Sequence, residues 1–375
     1  ANPPSRHLDV SLAFTICALL LWIPASFSPL LTVAAEGTVH RSGLATGVAA
    51  LWSGGFPSLA VVVAAFSLAA PWLYLLLMTL VLIGVHLDAA RTRAAPALAV
   101  LFRWGLALRP WTMIEVYLLG ACVAYSRIEQ VAFVRVAAAG WCLLAAAILL
   151  LLADAVLDER AVWDALPIRP ARMAQDGPSA ALACHICELV VPGERDGDAC
   201  PRCRAPLHAR KRASLQRTTA LVACGFLLFI PANLLPVLTI ERFGRMQSST
   251  ILGGVFELAG NGLWPLAVIV FTASIAIPLA KLWGLSWNLI LTRRRSARLL
   301  IARTRLHRAI DLIGRWSNID VFMVSILLAL VQFGALTRVR VEPGMIAFAA
   351  VVIVTMIAAK SFDSRLMWDA AGERA

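Results

Sequence analysis

The chain has 375 residues, of which 60% are hydrophobic and 15% charged, and its formal net charge is +12. A mean hydropathy of +0.79 excludes an ordinary soluble globule. The positive charge does not indicate nucleic-acid binding, because the basic residues fall between long apolar runs, as the positive-inside rule predicts for a membrane protein.

Four apolar runs in each half of the chain predict eight transmembrane helices, because each run reaches or approaches the roughly 20 residues that cross a bilayer. In chain order the runs are 10–34, 58–87, 111–126, 133–153, 218–240, 263–292, 316–336 and 342–360. We therefore expect an all-α polytopic membrane protein. It would have two tandem four-helix transmembrane units, 1–165 and 211–375, with a small domain at 180–210 between them.

The distribution of basic residues predicts the orientation. Arginine is frequent in 88–109, 154–217 and 293–315, whereas the alternate connections 35–57, 127–132, 241–262 and 337–341 carry little lysine or arginine. Because cytoplasmic loops carry the excess of basic residues, we expect both termini and the 180–210 domain to lie in the cytoplasm.

The two halves are an internal repeat. Pro24 and Pro29 match Pro231 and Pro236 at one offset (231 − 24 = 207), and WTMIEVY at 111–117 matches WSNIDVF at 316–322 at an offset of 205. Near the end of each half, LDERAVWD at 157–164 matches FDSRLMWD at 362–369. Because each unit contains an even number of spans, we expect a parallel repeat.

Prolines predict breaks in the first two spans of each unit. Pro24 and Pro29, like Pro231 and Pro236, lie near the outer end of the first span, where proline removes a donor and clashes with the preceding turn. They mark either a plain helix end at the interface or a broken end that lines a cavity or lipid portal. In the second span, Pro71 and Pro278 mark another break. Between the two spans, 42–57 and 248–265 each predict a short helix, because serines open the segment and glycines close it.

Polar residues stand within the second and third spans. Lys281 lies inside the run 263–291, and a charged lysine there is costly unless it finds a partner. We predict that it pairs with Asp320 of the next span, either as a structural ion pair or as a protonation-sensitive element of transport. The first unit has Tyr74 and Glu115 at the matching places.

Four of the eight cysteines form two C-x-x-C pairs separated by twelve residues: Cys184, Cys187, Cys200 and Cys203. Four thiolates arranged in this way are typical of a closed structural Zn²⁺ site, which predicts a zinc ribbon. Bound iron or a redox-active dithiol pair remains the alternative. The other cysteines, Cys17, Cys122, Cys142 and Cys224, lie singly in apolar runs, which favours packing.

Together, the I-P-A-x-x-x-P element, the W-S/T-x-I-D/E-V-F/Y stretch, the D-x-R-x-x-W-D ending and the cysteine pairs resemble the paraquat-inducible protein A family. The resemblance covers nearly the whole chain. It implies an inner-membrane protein of Gram-negative bacteria with cytoplasmic zinc ribbons. It also implies an oligomeric mammalian-cell-entry (MCE) domain partner that spans the periplasm and moves phospholipids between the two membranes. The sequence departs from the family pattern because no C-x-x-C pair precedes the first unit.

The expected function is that of a non-enzymatic inner-membrane subunit of an MCE-type intermembrane lipid transport system. No Walker motif is present, so the sequence does not indicate an ATPase of its own. The alternatives are a proton-coupled secondary transporter of a small solute and a redox-active membrane protein. A scaffold for the MCE protein, without a transport step of its own, is a further reading within the same pathway.

Overall fold

The computed structural model describes residues 4–35, 38–87, 95–112, 114–128, 133–168, 182–191, 197–242, 245–296, 298–313 and 337–372. The helices of the first half are α1 (Pro4–Phe27), α2 (Leu44–Ser53), α3 (Pro57–Ala64), α4 (Ala70–His86), α5 (Ala95–Leu108), α6 (Ile114–Ile128), α7 (Ala138–Val156) and α8 (Glu159–Ala165). Those of the second half are α9 (Ser214–Leu234), α10 (Ile251–Gly260), α11 (Trp264–Phe271), α12 (Ile277–Arg293), α13 (Leu300–Ile313), α14 (Pro343–Ser361) and α15 (Arg365–Gly372).

Within the described residues, seven helical segments are long and apolar enough to cross a membrane: His7–Phe27, Pro57–His86, Pro96–Tyr125, Ala138–Val156, Ser214–Leu234, Trp264–Arg293 and Pro343–Ser361. The predicted third span, 111–126, falls inside the longer segment Pro96–Tyr125. The predicted span 316–336, which includes Asp320, lies outside the described residues. The count of eight spans therefore remains a prediction.

The described chain is mostly helical, as predicted, but it also contains short strands that the all-α prediction did not include. They form two three-stranded antiparallel sheets, in each of which the first strand along the chain lies in the middle. The strands of the first sheet are β1 (Leu31–Ala35), β2 (Thr38–Ser42) and β3 (Phe133–Val136), and a pair of two-residue strands, β4 (Leu182–Ala183) and β5 (Val190–Val191), accompanies the cysteines. The second sheet contains β6 (Leu238–Arg242), β7 (Arg245–Ser249) and β8 (Thr337–Val341).

The strands have a physical cause that apolar runs do not reveal. The predicted spans 10–34 and 218–240 each continue past a proline, but α1 ends at Phe27 and α9 at Leu234, just before Pro29 and Pro236. The predicted break does not occur at Pro24 or Pro231, which lie inside α1 and α9. At Pro29 and Pro236 the missing N–H cannot extend the helix, and the β-branched residues that follow favour an extended chain. The apolar residues beyond the proline therefore belong to β1 and β6.

Each 30-residue second span contains one π-helical turn. The π-turns are Ala65–Ala69 and Thr272–Ala276, and each is followed by a helix with proline in its first turn, Pro71 or Pro278. A proline inside a regular α-helix would leave a carbonyl without its donor and would clash with the preceding turn, whereas a wider turn relieves the clash. The predicted break is thus a π-turn within a continuous helix.

The basic segments 88–109 and 293–315, predicted only as connections, contain the helices α5 and α13. The short helices predicted in 42–57 and 248–265 are confirmed as α2 and α10. Glycines let α5 and α13 approach the preceding helices. A Cβ added at Gly84 would lie 2.7 Å from Leu98, and one added at Gly284 would lie 2.5 Å from Ile310.

The chain divides into two compact units. The first comprises Ala1–Ser26, Leu68–Thr112 and Ala139–Ala209, and the second comprises Phe27–Ser67, Met113–Ala138 and Arg210–Ala375. The first unit contains the four paired cysteines, and both three-stranded sheets belong to the second. A buried apolar cluster of the second unit joins α9, α12, α13 and α14 through Val222, Leu282, Leu285, Ile310, Ala358 and Phe362.

Candidate functional site

The four paired cysteines form two similar turns. In the first, the Cys184 amide donates to the Leu189 carbonyl at 2.9 Å; in the second, the Cys200 amide donates to the Ala205 carbonyl at 2.7 Å. The residue after each turn has a positive φ, 56° at Glu188 and 59° at Arg204. This left-handed residue reverses the chain so that both sulfurs of a pair point to the same side.

The sulfur positions fit a metal ion. The Sγ atoms of Cys184 and Cys203 are 3.5 Å apart, those of Cys187 and Cys200 are 3.6 Å apart, and all four lie within 4.8 Å of one another. A tetrahedron with zinc–sulfur bonds of about 2.3 Å has edges of about 3.8 Å. The four sulfurs could therefore hold a metal ion.

Three polar contacts attach this cysteine cluster (182–207) to the helices of the first unit. Nη1 of Arg103 in α5 donates to the Cys203 carbonyl at 3.2 Å. Arg202 and Glu188 of the cluster approach Asp164 and Arg160 of α8, at 3.6 Å and 3.0 Å. A polar cavity of about 790 Å³ lies beside these contacts and is lined by both acidic and basic residues, among them Asp158, Glu159, Arg160, Asp164, Glu188 and Arg202. The cluster is therefore anchored where α8 follows the span Ala138–Val156.

The first unit also contains a polar network beneath Tyr74. The Tyr74 hydroxyl donates to Oδ1 of Asp154 at 2.5 Å, and Nε of Arg109 donates to Oδ2 of the same carboxylate at 2.9 Å. Nη1 of Arg109 reaches Oε1 of Glu159 at 2.8 Å. Tyr74 is buried, whereas Asp154 and Arg109 are partly exposed. A chain of charge-assisted hydrogen bonds thus connects the interior of α4 to the end of α7.

Sequence reasoning missed Asp154 and Arg109 as members of this network. The signal was available, since an aspartate ends the apolar run of α7 and an arginine precedes the third span. Glu115, matched to Asp320 by sequence, lies in the first turn of α6 and is partly exposed. Its predicted role is not tested by any contact that the structure describes.

In the second unit, Lys281 lies on α12 with 1% of its surface exposed. Its predicted partner Asp320 is outside the described residues, so the pair remains a prediction. Ser274 precedes Lys281 by seven residues and Asn288 follows by seven, and both are buried. Within the regular helix α12, residues seven apart such as Lys281 and Asn288 share one face, and Ser274 lies in the π-turn that precedes it. Because all three are buried, this span carries a buried polar stripe at Ser274, Lys281 and Asn288.

An arginine that the sequence did not single out contacts the end of this stripe at Asn288. The buried Arg303 of α13 donates to the Asn288 carbonyl at 3.2 Å, to Oγ1 of Thr292 at 2.7 Å and to the Ser296 carbonyl at 3.1 Å. These acceptors lie in or just after the last turns of α12, where the helix dipole favours a cation. Arg303 therefore caps this helix, while burial lowers the pKa of its guanidinium.

Comparisons with known proteins cover most of the chain. The family described as "Paraquat-inducible protein A" matches residues 8–167 and 215–372. The intermembrane transport protein PqiA of Escherichia coli strain K12 is 31% identical over 366 residues, which is 95% of this chain and 85% of that protein. No solved structure gives a significant match.

Two further relatives bear similar names. The lipophilic envelope-spanning tunnel protein A of Escherichia coli strain K12 is 33% identical over 264 residues, 70% of this chain and 61% of that protein. A probable intermembrane transport protein of Haemophilus influenzae is 26% identical over 361 residues, 95% of this chain and 85% of that protein. The relatives are named for transport, which fits a non-enzymatic role at a membrane.

Proposed function

The chain belongs to the paraquat-inducible protein A family, and on that premise we propose that it is the inner-membrane subunit of an MCE-type intermembrane lipid transport system. It would pass phospholipids between the inner membrane and an oligomeric MCE-domain protein that spans the periplasm. The observation that carries this proposal is the similarity over 95% of the chain to a protein named for intermembrane transport. That similarity extends through both repeats, so it covers both predicted membrane units.

The proposed topology places both termini and the cysteine cluster in the cytoplasm, with the two three-stranded sheets in the periplasm. Its support is the high arginine content of 88–109, 154–217 and 293–315. A reducing compartment also suits four thiolates that hold a structural Zn²⁺. The zinc ribbon, as a domain at 180–210 between membrane units at 1–165 and 211–375, would brace α5 and α8 from the cytoplasmic side.

The ends of α1 and α9 offer a place for lipid to enter or leave. Each helix stops between two prolines, Pro24 and Pro29 or Pro231 and Pro236, and an antiparallel sheet follows after a few residues. The short helices α2 and α10 lie farther along the chain and expose large apolar side chains at Trp52, Leu252 and Phe256. Helices of ten residues are too short to span a bilayer, and their exposed aromatic residues suit an interfacial position. We assign the lipid portal to this region.

We also propose that Lys281 pairs with Asp320 and that this pair couples transport to proton movement. The support is the near-complete burial of Lys281 on a membrane-spanning helix, because an intramembrane ionisable group is costly to retain without a role. The same feature would serve a proton-coupled secondary transporter of a small solute, which is the second candidate function. Purified protein that moves a solute on its own and carries no lipid would favour this second candidate.

Gentle purification followed by mass spectrometry tests the proposed function. We expect phospholipid, a periplasmic MCE-domain protein and one zinc ion to accompany the chain. Absence of both lipid and MCE-domain partner would contradict the proposal. Iron in the cysteine cluster, or thiols that cycle between reduced and oxidised states, would instead favour a redox role.

A further inference from the structure

In the first three-stranded sheet, the central strand β1 has one buried face. Leu31 and Val33 of β1 are buried. Thr32 points to the opposite face, since successive side chains of a strand alternate. Thr32 is paired with Arg41 of β2 on one side and with Arg135 of β3 on the other. Residues directly opposite in a sheet share a face, so one exposed rung reads Arg41–Thr32–Arg135.

This rung, which we call the arginine rung, lies close to the ends of two membrane-spanning helices. The sheet begins at Leu30, whose amide donates to the Ser42 carbonyl at 2.7 Å and whose carbonyl accepts from the Ala137 amide at 2.9 Å. The spans His7–Phe27 and Ala138–Val156 end and begin within three residues of these bonds. Thr32 is two residues beyond Leu30, at most about 7 Å along an extended strand. Counted from the spans themselves, Thr32 is five residues beyond Phe27 and Arg135 is three residues before Ala138, at most about 17 Å and 10 Å along an extended chain. A bilayer's headgroup layer is roughly 5–8 Å thick on each side. In the proposed topology the rung therefore lies at the outer edge of this layer, where long arginine side chains can reach the lipid phosphates.

The two arginines are available to an anion. Arg41 and Arg135 are both exposed, and neither forms an ion pair with any residue that the structure describes. Their strands flank β1, so their Cα atoms are about 10 Å apart. Side chains of this length converge easily on a group above Thr32. Guanidinium forks bind phosphate oxygens through paired, charge-assisted hydrogen bonds.

The second sheet provides an internal comparison. The matching rung places Thr239 between Ser248 and Arg340, so serine replaces one of the two arginines. The Thr239 hydroxyl also donates to Oε1 of Glu342 at 2.9 Å, which brings a carboxylate to the rung. A phosphate at Thr239 would meet the negative charge of Glu342. The two sheets have the same register but different residues at this rung, with Ser248 at the position of Arg41.

From these observations we propose that the arginine rung of the first sheet binds the phosphate of an anionic phospholipid headgroup at the sheet side of the membrane. The inference rests on the proposed function and deepens it by assigning a headgroup site on one repeat only. An arginine pair at this depth would hold the headgroup while the acyl chains remain in the bilayer. The positive-inside rule explains basic residues only on the cytoplasmic side. Two exposed arginines beside the sheet-side ends of these spans therefore suit an anionic partner.

Native mass spectrometry of the full-length protein with short-chain phosphatidylglycerol tests the site. We expect R41Q/R135Q to weaken phosphatidylglycerol binding about 100-fold, which is tenfold, or ~1.4 kcal/mol, for each arginine lost. R340Q, which changes the matching rung of the second sheet, should bind within about twofold of the wild-type protein. The R41K/R135K variant retains the charge and should keep most of the binding, and circular dichroism should show that all variants are folded.

Several results would overturn the proposal. Unchanged phosphatidylglycerol binding by R41Q/R135Q would do so. Inorganic phosphate that displaced all the lipid at an equal concentration would also do so, because the site would then bind free anions. Loss of a co-purifying periplasmic protein with lipid binding intact would show that the rung contacts an acidic protein instead. Failure of the site leaves the proposed function standing if wild-type protein still carries lipid and its partner. Absence of both from wild-type protein would end both proposals.

Discussion

The helices that follow the two π-turns begin alike and then diverge. In α4, Tyr74 follows Pro71 by three residues and donates to Asp154, which in turn accepts from Arg109. In α12, Lys281 follows Pro278 by three residues and is almost completely buried. The positions that shape the backbone are the same in the two repeats, whereas the positions that carry polar chemistry differ.

This difference indicates that the two repeats have different roles. A tyrosine is neutral at physiological pH and can be buried for the cost of one hydrogen bond, whereas a lysine brings a charge that a membrane interior disfavours. In the first repeat, the buried Tyr74 belongs to a hydrogen-bond network that ends at Glu159 of α8, the helix that contacts the cysteine cluster. The second repeat retains the costlier group. Under the proposed proton coupling, the energetic step of transport lies in the second repeat and the structural anchoring in the first.

Removal of the proposed metal should have the largest effect and should be confined to the first repeat. Structural zinc contributes on the order of 10 kcal/mol to the folding of small sites, so Cys184→Ser combined with Cys203→Ser should unfold the cysteine cluster. Hydrogen exchange should show lost protection in 182–207 and in α8, while α15, the counterpart of α8 in the second repeat, keeps its protection. Elemental analysis should show zinc falling from about one ion per chain to none.

Cys17→Ser combined with Cys122→Ser is the matched control, because both cysteines are exposed and lie outside the cluster. This variant should retain the metal and its exchange pattern. Equal loss of protection in α8 and α15 on metal removal would show that the cluster braces both repeats.

Exchange of the two diverged residues should separate the repeats functionally. We expect Lys281→Tyr to lower lipid transfer from proteoliposomes to the MCE-domain protein by about tenfold or more, equivalent to ~1.4 kcal/mol or more in the barrier. Tyr74→Lys should have a smaller effect, because the carboxylate of Asp154 is already within reach to pair with the new ammonium group. Equal losses from the two changes would contradict the division of roles between the repeats.

A glycine at the start of α14 distinguishes the repeats by packing. A Cβ at Gly344 would lie 2.5 Å from the Pro236 carbonyl oxygen and 2.7 Å from that of Leu235, both of them backbone atoms that cannot rotate away. The corresponding residue of α7 is Ala139 (344 − 205 = 139), which is buried. Gly344→Ala should therefore lower the free energy of unfolding by about 1–3 kcal/mol through overpacking.

Thermal unfolding in detergent measures this effect. The reciprocal change, Ala139→Gly, should cost only about 0.5–1 kcal/mol, the usual penalty of glycine in a helix. If Gly344→Ala proved neutral, α14 would not be held against the end of α9 in the way described.

The smallest effect is expected from equivalent aspartates at the ends of the repeats. Asp369 of α15 pairs with Arg210 at 2.5 Å, and Asp164 of α8 approaches Arg202 at 3.6 Å. The hydrogen bond from Arg210 lowers the pKa of Asp369, so this pair stabilises the folded state above the carboxyl's unfolded pKa and loses that contribution as pH falls through the lowered pKa.

Asp369→Asn should lower stability at pH 7 by about 0.2–1 kcal/mol, at the small end because both partners are about two-fifths exposed, and by nothing measurable near pH 2. Unfolding midpoints at the two pH values provide the measurement. Asp164→Asn should change them less, since its contact is longer. If Asp164→Asn lowered the unfolding midpoint more than Asp369→Asn, the ion pair of the first repeat would be the stronger one, which would contradict this prediction.

The sequence was sufficient for the features with a strong local signal. Long apolar runs predicted the spans now seen as helices, and the spacing of Cys184, Cys187, Cys200 and Cys203 predicted their convergence. It did not predict β1 or β6, because the apolar residues after a proline continue the hydropathy of the preceding span. Nor did it predict the Tyr74–Asp154 contact, because partners 80 residues apart depend on how α4 and α7 pack. Arg303 was missed for a similar reason: among many arginines of a basic segment, only the fold selects the one that turns inward.

The π-turns have a consequence for the direction in which the two spans present their side chains. A π-turn holds one residue more than an α-turn, and in a regular helix one residue corresponds to a rotation of about 100° and a rise of about 1.5 Å. Tyr74 and Lys281 both lie beyond the inserted residue. Deleting one residue from Ala65–Ala69 or Thr272–Ala276 would swing the rest of that span by more than a quarter of a revolution and carry Tyr74 or Lys281 off its buried face. Each π-turn therefore determines the direction in which the polar side chain that follows it points around the helix axis.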